Sequence, residues 1–71
     1  MWLAKGRQAL ASGNFGNAKA MFERCIAKNA RAGECWEGLG QAQQQMGQTE
    51  EAAESFGKAQ EFGVQVNSSR P

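Results

Sequence analysis

Trp2 and Trp36 stand 34 residues apart, and the residues around them echo one another at that offset. Gly6 returns as Gly40, Gly13 as Gly47, Ala18 as Ala52 and Phe22 as Phe56, while the small Cys25 returns as the small Ala59. Residue types with such different uses do not stay in phase along so short a chain by accident. A fixed period of roughly 20–50 residues is the signature of a repeat array, in which each unit buries one face on its neighbour. The echo predicts stacked, near-equivalent units, and an array of that kind implies a surface offered to another protein.

The apolar spacing within each unit is helical. A first helix is predicted from Trp2 to Ala11, with Trp2, Gly6, Ala9 and Leu10 on one stripe. Gly13 suits the left-handed residue after a helix end, and the side chain of Asn14 suits the cap of the next helix. Phe15, Ala18, Met21, Phe22, Cys25 and Ile26 then recur at steps of three and four, an amphipathic second helix. After a connector at 28–33, a third helix is predicted from near Glu34 to Met46, its stripe being Trp36, Leu39, Gly40, Gln43 and Met46. Glu34 and Glu37 in its first turn suit the positive end of the helix dipole. A fourth helix is predicted from Thr49 to Phe62, with Ala52, Phe56, Ala59 and Phe62 inward and Gly63 as its C-cap. Connectors this short force antiparallel hairpins. Gly6 and Gly40, facing Ala18 and Ala52, let the paired helices approach closely. The expected units are about 1–32 and 33–64, followed by a polar tail at 65–71 that is expected to fray.

Absences narrow the chemistry. The chain has no His, no Asp and no Tyr. It therefore lacks the acid/base group that works best near neutral pH and the commonest metal ligand. No nucleophile stands beside a base, and no glycine-rich phosphate loop follows a strand. No catalytic residue, metal site or cofactor is expected. Cys25 and Cys35 do not have zinc-site spacing, and two cysteines are too few for a disulfide framework. They are expected to be reduced, buried packing residues. The start MWLAKGRQAL lacks the apolar core of a leader. No run approaches the roughly 18 apolar residues of a membrane span. A cytoplasmic location is the resulting expectation.

Charge separates the halves. Residues 1–33 carry Lys5, Arg7, Lys19, Arg24, Lys28 and Arg31 against Glu23, a net +5. Residues 34–71 carry Lys58 and Arg70 against Glu34, Glu37, Glu50, Glu51, Glu54 and Glu61, a net −4. The cations are spread around two helices without an aromatic platform for bases, so nucleic-acid binding is disfavoured. An RNA-binding helical repeat is a remote alternative.

The run Trp36-Glu37-Gly38-Leu39-Gly40, followed by Ala52 and Phe56, resembles a tetratricopeptide repeat. Trp2, Gly6, Ala18 and Phe22 give the same pattern one unit earlier, so the resemblance covers residues 1 to about 64. The departures are Lys5 for the motif's Leu, Ala9 and Gln43 for its aromatic, and Ala30 and Val64 for its Pro. The resemblance implies an all-α fold, two helix-turn-helix hairpins stacked as a short right-handed solenoid. It also implies a scaffold or adaptor whose first helices line a concave groove for a protein or peptide. Carried over, the groove residues are Leu3, Arg7, Leu10, Glu37, Gln41 and Gln44, with Gln45 beside them. Arg7 there is suited to a bidentate contact with an acidic partner, or is simply a solvated surface charge. The run Gln41, Gln43, Gln44 and Gln45 offers donors and acceptors to a peptide backbone, and is equally a neutral helical surface. The family's carboxylate clamp would begin at Leu3 and Arg7 and continue at Gly38, and its remaining basic residues need a third repeat, so clamping is disfavoured.

Arrays also need their outer faces covered, and roughly three repeats are the usual minimum for stability. Neither end carries an evident cap. The chain is expected to be part of a longer array with adjacent repeats, to be capped by another protein, or to self-associate as a homo-oligomer. The opposed charges of the two halves favour the last.

Overall fold

The computed structural model describes residues 2–63. The expected polar tail lies outside the described residues. Four helices follow in order: α1 (Trp2–Ala11), α2 (Phe15–Lys28), α3 (Gly33–Gln45) and α4 (Thr49–Glu61). α1 pairs with α2 and α3 with α4, while α2 packs on α3 between the hairpins. α1 also touches α3, whereas α4 packs on α3 alone among the described helices. This is the all-α hairpin stack expected from the periodicity, with helix ends within a residue of those predicted.

The hairpin turns are copies of one another. Gly13 and Gly47 both sit at φ +81°, in the left-handed region where glycine carries no Cβ penalty. In the first turn the Gly13 N–H donates to Leu10 O at 3.0 Å and the Asn14 N–H to Ala9 O at 2.8 Å. In the second, the Gly47 N–H donates to Gln44 O at 3.1 Å and the Gln48 N–H to Gln43 O at 2.8 Å. Both satisfy the last carbonyls of a helix in the Schellman pattern. Asn14 stands at the N-cap of α2, but its side chain makes no capping bond. Its backbone serves both helices instead, as the Asn14 carbonyl accepts the Ala18 N–H at 2.9 Å.

Phe22 is the centre of the core. It is fully buried, in one cluster with Ala9, Ala18, Cys35, Leu39 and Ala42. Its ring lies against Gly6 of α1, where an added Cβ would come within 2.6 Å of ring carbon. On its other side the ring meets Gly38 of α3, where a Cβ would collide with the same ring. One aromatic thus joins both hairpins because two glycines leave room for it. Burying such a side chain contributes about 1.5–3 kcal/mol. The equivalent Phe56 packs against Gly40, with a Cβ there 2.7 Å from its ring, yet stays half-buried because no described helix covers its outer side. Met46, expected on the inner stripe of α3, is 41 % exposed, since the helix ends before it and the turn points it outward.

Cys25 and Cys35 are joined by a disulfide, with Cα atoms 6.1 Å apart. This corrects the expectation of two reduced thiols. Cys25 lies in the last turns of α2 and Cys35 in the first turn of α3, and the connector folds back so that the two turns face one another. The bridge ties hairpin to hairpin beside Phe22. No described helix is long and apolar enough to cross a membrane.

Candidate functional site

In a stack of hairpins the first helices share one side. Here α1 and α3 lie next to each other. Residues three and four apart on a helix share a face, so Arg7 and Leu10 on α1 run beside Gln41 and Gln44 on α3. These four line an open cleft of about 520 Å³, together with Ala11, Phe15 and Gln45. Arg7 is the one charged residue of that lining. Leu10 and Phe15 are half-buried and supply an apolar floor, while Arg7, Gln41, Gln44 and Gln45 are exposed.

Leu3 and Glu37 do not line this cleft. They stand four residues before Arg7 and Gln41, one turn away on the same faces, and both are half-buried. Leu3 packs against the core cluster. Ala11 and Phe15 were not singled out for the groove from sequence. Phe15 opens α2 directly after the turn at Gly13, and this carries its ring to the α1 end of the cleft.

The glutamine run is split by the helix. Gln41, Gln44 and Gln45 face the cleft, but Gln43 is 7 % exposed and belongs to the interior. Its Oε1 accepts a hydrogen bond from Ser55 Oγ at 2.7 Å. A buried amide paired with a buried hydroxyl thus occupies the place where the repeat motif has an aromatic. Two residues along a helix is about 200° around it, which takes Gln43 off the face of Gln41. Gln43 is therefore a packing residue, and not part of a peptide-binding row.

The tryptophans frame the seam. The Trp36 Nε1–H donates to Ala30 O at 2.8 Å and pins the connector over α3. Trp2 is half-buried, with the Arg24 guanidinium 5.3 Å and the Lys5 ammonium 5.8 Å from its ring centroid. Both rings are thereby engaged within the chain, one through its N–H and one through cation–π contacts. Among the described residues no group of three or more His, Cys, Asp or Glu side chains could hold a metal ion.

The profile of the tetratricopeptide repeat matches residues 9–65. The chain belongs to the tetratricopeptide-repeat family. The match spans the end of α1, the whole of α2 and the whole of the second hairpin, and two repeats account for the four helices. Tetratricopeptide repeats are protein–protein interaction modules and are typically non-catalytic. No match is found among curated proteins.

Proposed function

We propose that this tetratricopeptide-repeat chain is a non-catalytic adaptor that binds an extended peptide segment of another protein across α1 and α3. The observation that carries the reading is the cleft itself. It gathers Arg7 and Leu10 from one repeat with Gln41 and Gln44 from the next. An apolar floor, a row of side-chain amides and a single guanidinium suit a segment that offers one apolar side chain, its backbone groups and a carboxylate. Leu3 and Glu37 extend the same surface by one turn toward the helix starts. An oxidising compartment fits the Cys25–Cys35 bridge better than the cytoplasm does.

The test is affinity capture with the wild-type chain and with a variant in which Arg7, Gln41 and Gln44 are all Ala. All three are exposed, so the variant keeps the fold. Proteins held by the wild type should be lost from the variant. An unchanged set of partners would show that the cleft is not the binding surface. Self-association through the opposed charges of the two halves is a separate reading. It is tested by light scattering against concentration and salt, where a constant monomer mass removes it.

A further inference from the structure

Tight turns at Gly13 and Gly47 lock α2 and α4 to the helices before them, but α3 starts from the connector instead. Its N-cap is Ala32, whose methyl group cannot cap, and its first residue is Gly33, a poor helix former. The Cys35 N–H donates to Ala32 O at 3.0 Å, and the Trp36 N–H donates to the same oxygen at 3.3 Å. The bond from Trp36 Nε1–H to Ala30 O, which holds the connector, is exposed to water. A helix start built this way opens easily by itself.

The disulfide stands at this weak point. Phe22 meets Gly38 and Cys25 meets Cys35, so α2 and α3 run in opposite directions along their seam. Cys25 follows Phe22 by one helical turn, and Cys35 precedes Gly38 by one turn. The bridge therefore ties the first turn of α3 to α2, while the Phe22 ring joins the hairpins farther along. The two sulfurs are not equivalent. Cys35 is 1 % exposed, whereas Cys25 is half-buried. Arg24 and Lys28, both exposed, stand one residue before Cys25 and one turn after it. An approaching thiolate is thus drawn to the Cys25 sulfur, and Cys35 leaves at the positive end of α3.

We propose that the Cys25–Cys35 bridge is a redox latch on the start of α3, opened by an external dithiol through attack at Cys25. One thiolate of the dithiol bonds to Cys25 Sγ, the Sγ–Sγ bond breaks, and its electron pair leaves on Cys35. The second thiolate of the dithiol then attacks its partner sulfur in the mixed disulfide and releases Cys25. The dithiol is oxidised to a disulfide, and the bridge gains two electrons and two protons as a pair of thiols. Opening the latch lets residues 29–37 fray and frees Trp36 from Ala30. Phe22 stays between Gly6 and Gly38, so the four-helix stack remains. The latch does not depend on what binds at the α1–α3 cleft.

Amide hydrogen exchange of the full chain, followed by NMR with and without dithiothreitol, tests the latch. On reduction the amides of Cys35, Trp36 and Glu37 should exchange about tenfold to a hundredfold faster, the upper figure being the closure entropy of so short a loop. A series at low urea should leave those rates unchanged, as local opening exposes little surface, while amides of α4 speed up with urea. Ala32→Ser, which supplies the missing cap, should slow the three amides of the reduced chain by about fivefold. Glutathione, a monothiol, followed by alkylation and peptide mass mapping, should be found on Cys25. The proposal is overturned if reduction leaves the three amides unchanged, or if their rates climb with urea as steeply as those of α4. It is also overturned if Ala32→Ser has no effect on them, or if glutathione is found on Cys35.

Discussion

Gly38→Ala should destabilise the protein although it replaces the poorer helix former with the better one. In an exposed helix the change gains about 1 kcal/mol of propensity. At Gly38 the new methyl meets the Phe22 ring, which is fully buried and backed by Gly6 on the opposite helix. The ring has nowhere to go, because moving off Gly38 drives it into the backbone of α1. Overpacking of this kind costs about 1–3 kcal/mol or somewhat more. The net loss is then up to about 2 kcal/mol. Gly16→Ala is the matched control, since Gly16 is helical, exposed and has nothing within 4 Å of an added Cβ. It should gain about 0.5–1 kcal/mol. Urea titrations followed by far-UV circular dichroism should move the two midpoints in opposite directions. Repeating Gly38→Ala in a Phe22→Leu background should remove most of its penalty, because the smaller side chain vacates the space. If Gly38→Ala stabilises as much as Gly16→Ala, Phe22 does not occupy the space between the two hairpins and the packing account is wrong.

Reduction of the Cys25–Cys35 bridge, whose partners are 10 residues apart in sequence, should lower stability by about 2.7 kcal/mol on the chain-entropy estimate. Urea midpoints measured with and without dithiothreitol, beside a Cys25→Ala/Cys35→Ala variant that ignores the reductant, check this; an unmoved wild-type midpoint contradicts it. Ser55→Ala should cost about 1–3 kcal/mol by stranding the buried Gln43 carbonyl oxygen. Adding Gln43→Leu should recover most of that loss, and thermal unfolding of the single and double variants would reveal an additive penalty if the two side chains are not paired.

The period of 34 residues carried most of the fold. Trp, Gly, Ala and Phe in phase place the helices, the turns and the close approach at Gly6 and Gly40. Gly38 was harder to see because its contact is with the preceding hairpin, and a pattern within one repeat does not show what its neighbour inserts. The disulfide was hidden for a related reason. Cys25 reads as a small residue in the place of Ala59, and only the fold of the connector brings Cys35 opposite it. At the cleft, Arg7, Leu10, Gln41 and Gln44 were legible because a helical face is periodic. Phe15 was not, since it reaches the cleft from the start of α2 around a turn. Gln43 was ambiguous until Ser55 was found opposite it, because a polar residue in a small core declares itself only through its partner.

The most direct test of the central claim is hydrogen–deuterium exchange on the chain with and without a partner recovered by affinity capture. The account predicts slowed exchange in the segments around Arg7–Ala11 of α1 and Gln41–Gln45 of α3, and no such protection when Arg7, Gln41 and Gln44 are Ala. Protection confined to α2 and α4, with α1 and α3 unchanged, would contradict it.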